Sequence, residues 1–98
     1  MDTMKISVVI PAYNEEKAIE SVIDACLKQT YPDFEIIVVD NASTDKTSEL
    51  AQKKKVKVVL ENRKGLLWAR EAGRKVATGQ IIANLDADCL PDPDWLKL

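Results

Sequence analysis

The chain has 98 residues, of which 46% are hydrophobic, 31% charged and 5% aromatic, the composition of one folded domain rather than a disordered or collagen-like chain. Fourteen Lys and Arg against sixteen Asp and Glu give a net charge of −2, which offers no basic surface to nucleic acid, and no apolar run approaches the roughly 18 residues of a membrane span. Histidine is absent, so Ser-His-Asp and Cys-His catalysis and His-ligated zinc are excluded for this chain; without the layout of a secretion signal, the expected location is cytoplasmic.

Residues 6–10 are the first of four short apolar, β-branched runs, the others being 36–39, 56–60 and 81–85. Runs of this length read as strands buried on both faces, as in a parallel sheet. After the first strand comes the polar segment Pro11-Ala12-Tyr13-Asn14-Glu15-Glu16. Ile19, Val22, Ile23, Cys26 and Leu27 then follow the spacing of an amphipathic helix, with Cys26 on its apolar face as a core residue. Tyr13 can stack on a planar ligand or pack against this helix, and the sequence alone favours packing.

The second strand leads directly into Asp40-Asn41-Ala42-Ser43-Thr44-Asp45. Asp40 can accept hydrogen bonds from a nucleobase or simply tie the backbone of the next turn. Thr47, Leu50 and Ala51 mark a short helix, with Ser43, Thr44 or Asp45 available to cap it. Lys53, Lys54, Lys55 and Lys57 read as a solvated helix end, where cations suit the dipole.

The third strand is followed by Glu61-Asn62-Arg63-Lys64-Gly65, and Leu66, Ala69, Gly73, Val76 and Ala77 give a third helix stopped by Gly79. Arg70 interrupts that helix's apolar stripe, either as a cation for a phosphate or as a structural ion-pair partner. Gly65, Gly73 and Gly79 are the only glycines and form neither a dinucleotide fingerprint nor a P-loop. Trp68 and Trp95 read as packing residues.

The fourth strand ends in Asp86-Ala87-Asp88. Two carboxylates so spaced can hold a hard cation such as Mg²⁺ or Mn²⁺, or can merely terminate a strand and cap a turn. Cys89 has no partner at ligand spacing. Pro93-Asp94-Trp95-Leu96 reads as the opening of a further helix. The order β-α-β-α-β-α-β predicts an α/β fold: a Rossmann-like, mainly parallel sheet with flanking helices, whose ligands bind outside the carboxyl ends of the strands.

At these positions the sequence resembles the family 2 glycosyltransferases, enzymes of the GT-A fold, over essentially its whole length. Val8-Val9-Ile10-Pro11-Ala12-Tyr13-Asn14-Glu15 is similar to the family's opening strand and donor loop. Asp40-Asn41-Ala42-Ser43-Thr44-Asp45-Lys46-Thr47 resembles its second motif, residues 65–73 with Ala69-Arg70 its third, and Leu85-Asp86-Ala87-Asp88 its D-x-D motif. One more residue than the commonest pattern lies between Asn62 and Gly65.

The resemblance implies a partial GT-A fold, a single nucleotide-sugar-binding domain over residues 1–98 truncated at its C-terminus. It implies a nucleotide-sugar donor, UDP-sugar favoured, and an inverting transfer to an acceptor. Pro11, Ala12, Tyr13 and Glu15 would line the nucleoside pocket, Asp40 would bind the base and Arg70 would support the nucleotide. Asp86 would approach the ribose, and Asp88 would hold Mg²⁺ or Mn²⁺ on the diphosphate. The general base is expected beyond this chain, so the chain alone is expected to bind nucleotide without turnover. A truncated sheet also leaves open edges and apolar surface, from which self-association is expected. The competing reading is a non-catalytic nucleotide-binding or assembly module.

Overall fold

The longest apolar runs form the middle of the sheet. In the computed structural model, which describes residues 4–97, β1 (Ile6–Ala12) pairs in parallel with β2 (Phe34–Asp40) from Ile6↔Phe34 to Ala12↔Asp40. The short strands β3 (Lys57–Leu60) and β4 (Ile81–Asn84) flank them, giving a four-stranded, all-parallel sheet of order β3-β2-β1-β4. The crossovers carry α1 (Ile19–Leu27), α2 (Thr47–Gln52) and α3 (Leu66–Val76). The Rossmann-like α/β fold read from the sequence is the fold observed, and no helix among the described residues is long and apolar enough to cross a membrane.

The alternation of side chains along the central strands divides the core. Val8, Ile10, Ile36 and Val38 point to the face covered by Ile19, Val22, Ile23 and Cys26 of α1 and Ala51 of α2. Val9, Ile37 and Val39 point to the opposite face, where Ala69 of α3 closes over them. Burying each such Val or Ile contributes on the order of 1.5–3 kcal/mol, so these two strands and their helices hold the domain together. Burial also pushes the Cys26 thiol up to about 12, with Cys89 adding to the shift, so Cys26 is an inert core residue as expected.

Several local expectations give way to tertiary context. The outer strands are not buried on both faces: Lys57, Leu60, Ile81, Ile82 and Asn84 are exposed, because each edge strand has one neighbour and incomplete helix cover. Ile82 and the fully outward Leu67 of α3 leave an apolar surface beside β4, the kind of surface on which the expectation of self-association rests. β1 runs on through Pro11. Odd-numbered residues there face β4, which has already ended, so the missing proline N–H is not needed.

The residue at the cap position of α2 is Lys46, which makes no side-chain cap, so none of Ser43, Thr44 and Asp45 occupies it; Asp45, one residue earlier, accepts the Thr47 N–H at Oδ1 at 2.9 Å. α3 ends at Val76, with Ala77 extended, so Gly79 is not a helix stop but a point of close backbone approach to β1. The C-terminal helix expected from Pro93 is a single 3₁₀ turn, Trp95–Lys97, with Trp95 packed against the α1-side core. Leu98 lies outside the described residues.

At the amino edge of the sheet, Glu35 gathers a network. Its Oε2 accepts from Ser7 Oγ at 2.6 Å, Thr78 N at 2.7 Å and Thr78 Oγ1 at 3.0 Å, while Lys57 Nζ lies 2.9 Å from Oε1. Burial pushes this carboxyl up, but the hydrogen bonds from Ser7, Thr78 and Lys57 outweigh it and bring the pKa down to about 2. A depressed carboxyl contributes stability that is full above its unfolded value and lost as pH falls through its folded one. Urea unfolding followed from pH 6 to pH 2 is therefore expected to show the wild type losing about 2 kcal/mol more than Glu35→Gln below pH 4.5, the slope common to both proteins coming from other paired carboxylates such as Glu61. Parallel profiles for the two proteins would refute this assignment.

Candidate functional site

Every βα loop of the parallel sheet opens at the same edge, and here side chains lock those loops together. Asn14 sits in the left-handed region at φ 51°, turning the chain so that its N–H donates to Ser43 Oγ at 2.9 Å and its Oδ1 accepts from Thr44 N at 2.8 Å. Glu15 N donates to Thr47 Oγ1 at 2.9 Å, and Glu16 N to Asp45 Oδ2 at 3.2 Å. The loops after β1 and β2 are thus zipped.

Asn41 does the same for the next pair. It is buried directly after β2, and its Nδ2 donates to the carbonyls of Glu61 at 3.0 Å and Arg63 at 2.8 Å, while its Oδ1 accepts from Gly65 N at 2.9 Å. Within that loop Glu61 grips Arg63 through Nε at 3.1 Å and Nη2 at 3.0 Å. The guanidinium holds the Glu61 carboxyl down at about 2. Arg63 also lies 3.9 Å over the Trp68 ring, so Trp68 packs under a cation at the surface rather than in the core.

Between these fixed loops lies an open cleft of about 390 Å³. Pro11, Ala12 and Tyr13 form one wall, and Asn41, Lys64, Gly65, Leu66 and Ala69 form the rest. Gly65, at φ 133°, supplies a backbone conformation that side-chain-bearing residues rarely adopt at the turn into α3. Tyr13 is 48% exposed and does not pack into the core as its sequence context suggests. Its ring faces the Lys64 ammonium at 5.2 Å. The cleft is apolar with one cation at its rim.

None of the other sequence-predicted residues belongs to the lining of this cleft. Asp40 is buried at the end of β2, with Oδ1 accepting Ser43 N at 3.2 Å and Oδ2 without a partner among the described residues. Glu15 is half-buried, and its carbonyl receives the N–H groups of Ala18 and Ile19 where α1 begins. Arg70 is exposed and lies in a groove of about 240 Å³ with Leu67, Glu71, Arg74, Ile82 and Asn84. The buried face of α3 is narrower than its apolar spacing implies, comprising Ala69 and Gly73 while Leu66 and Val76 are exposed, so Arg70 stands beside that face and does not interrupt it.

Asp86 and Asp88 belong to a turn closed by the Cys89 N–H donating to Asp86 O at 3.1 Å. Both are exposed while Ala87 between them is buried, and neither carboxylate has a hydrogen-bond or ion-pair partner among the described residues. No group of three or more His, Cys, Asp and Glu able to hold a metal occurs among the described residues. A pair of unpartnered carboxylates nevertheless suits a hard cation that takes its remaining ligands from water and substrate phosphates.

The family model described as glycosyl transferase family 2 matches residues 7–98. Glycosyltransferase AglE of Haloferax volcanii is 38% identical over 100 aligned residues, covering 94% of this chain and 33% of AglE. Among solved structures, Staphylococcus aureus TarS 1-349 in complex with UDP is 33% identical with a TM-score of 0.87, over 96% of this chain and 30% of that one. The mannosyltransferase PcManGT of Pyrobaculum calidifontis, in complex with GDP-Man and Mn²⁺, is 35% identical with a TM-score of 0.86, over 93% of this chain and 30% of that one. The chain spans about a third of the length of each of these three proteins, and less than a fifth of some other relatives.

Proposed function

The chain belongs to glycosyl transferase family 2, and from that premise we propose that it is the donor-binding part of an inverting, metal-assisted transferase moving a sugar from a nucleoside diphosphate sugar, UDP-sugar foremost, to an acceptor hydroxyl. The observation that carries this reading is the cleft at the carboxyl edge of the sheet, walled by Pro11, Ala12 and Tyr13, where ligands of open α/β sheets bind. The binding of UDP by TarS and of GDP-Man with Mn²⁺ by PcManGT supports it.

In this reading Tyr13 offers its exposed ring to the base, Pro11 and Ala12 wall the nucleoside, and the unpartnered Oδ2 of Asp40 accepts a base N–H. Glu15 borders the nucleoside, Asp86 approaches the ribose and Arg70 supports the nucleotide from α3. Asp88, with Asp86 beside it, would hold Mg²⁺ or Mn²⁺, which when bound neutralises the charge of the leaving diphosphate. The part proposed for these 98 residues is nucleotide binding, with the base that takes the acceptor's proton supplied by residues other than those named here.

Calorimetric titration with UDP tests this. Saturable binding is expected in Mn²⁺, weakened about tenfold or more by excess EDTA and by Asp88→Ala. A folded sample that takes up neither UDP nor GDP under these conditions would overturn the proposal.

A further inference from the structure

Two cations stand side by side in the loop before α3, and their surroundings differ. Arg63 is engaged twice over, by both oxygens of Glu61 and by the Trp68 ring. Lys64 has no carboxylate partner among the described residues; its ammonium lies 5.2 Å from the centroid of the Tyr13 ring, and both residues line the cleft. A ring half exposed to a cleft is a stacking surface, but here a cation already occupies the approach to it.

We propose that Lys64 is a displaceable cap on Tyr13 that selects for the phosphorylated form of the nucleotide, a reading that rests on nucleotide binding in this cleft. A base that stacks on Tyr13 takes the place of the ammonium. A nucleoside gives the released cation nothing in return, whereas a nucleoside diphosphate presents oxygens with which an ammonium forms charge-assisted hydrogen bonds. Lys64 therefore opposes nucleoside binding and favours diphosphate binding, and Arg63 cannot substitute because Glu61 and Trp68 hold it.

The test compares uridine with UDP on the wild type and Lys64→Ala, in Mn²⁺, by NMR titration. In the free wild type the Lys64 ε-methylene protons are expected upfield of those of the other lysines, shielded by the Tyr13 ring. Either ligand should abolish that displacement. Lys64→Ala is expected to weaken UDP about tenfold while leaving uridine unchanged or a few-fold tighter. Equal weakening of uridine and UDP by Lys64→Ala, or no change in either while the wild type binds UDP, overturns the cap alone. A wild type that binds neither ligand overturns the nucleotide reading and the cap with it.

Discussion

Replacing Gly79 with alanine is expected to cost about 3 kcal/mol, a large share of the roughly 5–15 kcal/mol that holds a domain of this size. A Cβ at this position would lie 2.6 Å from Ser7 Oγ, 2.7 Å from Ser7 N and 2.8 Å from Lys5 O. Two of those three atoms are backbone, and the backbone there has nowhere to move. Lys5 O accepts the Gln80 N–H at 2.8 Å and the Ile81 N–H at 3.3 Å, which is how β4 joins β1. Ser7 Oγ accepts the Gly79 N–H at 2.8 Å while donating to Glu35 at 2.6 Å. Relief of the clash therefore breaks either the entry to the edge strand or the Glu35 network, at about 1 kcal/mol per hydrogen bond in addition to the strain.

Thermal unfolding should show Gly79→Ala melting on the order of 10–20 °C below the wild type. Gly73→Ala meets a side chain instead of backbone: its Cβ would lie 2.5 Å from Cγ1 of Val9, a stiff and fully buried residue, so it too is expected to lose about 1–3 kcal/mol, by overpacking between α3 and the sheet rather than by broken hydrogen bonds. A Gly79→Ala variant as stable as the wild type would mean that the close packing of this loop on β1 does not constrain the domain.

The same glycine shows where a sequence stops being readable. Gly79 follows a helical pattern at the distance of a helix stop, yet the helix ends at Val76 and the residue is required by space. Close approach between residues 72 positions apart leaves no local signal. The order of strands is hidden for a similar reason. Residues 56–60 and 81–85 have the same β-branched composition as the central runs, and only the crossover arrangement decides that they lie at the edges. What is legible is what local physics determines: the apolar runs, the α1 stripe and the collection of polar segments at one edge of a parallel sheet.

The site divides in the same way. The position after a buried strand puts Pro11, Ala12 and Tyr13 at the carboxyl edge, where all three line the cleft, but the sequence alone favours packing for the Tyr13 ring, and only the family resemblance points it at a ligand. The sequence marks Lys64 only as a loop cation, and it passes over Asn41 inside a polar cluster. A signal for Asn41 was present: an amide directly after a fully apolar strand enters a buried environment and must find partners for both ends. Which partners it finds depends on a loop 20 or more residues away.

Those partners make Asn41 the residue through which cleft geometry and stability are coupled. Asn41→Ala leaves the Glu61 and Arg63 carbonyls and the Gly65 N–H without their bonds, and a net loss of about 2–3 kcal/mol is expected by urea unfolding. Lys64, Gly65 and Leu66 are carried on the loop those bonds anchor, so nucleotide affinity should fall about tenfold even at temperatures where the variant is fully folded. Asn41→Asp separates lost bonds from lost volume. It preserves the shape and can still accept from Gly65, but it turns a carboxylate oxygen toward two carbonyls that need a donor. If the donors are what matter, Asn41→Asp is at least as destabilising as Asn41→Ala. An aspartate variant that unfolds with the wild type would instead assign the position to packing and leave the anchoring of the β3–α3 loop to the grip of Glu61 on Arg63.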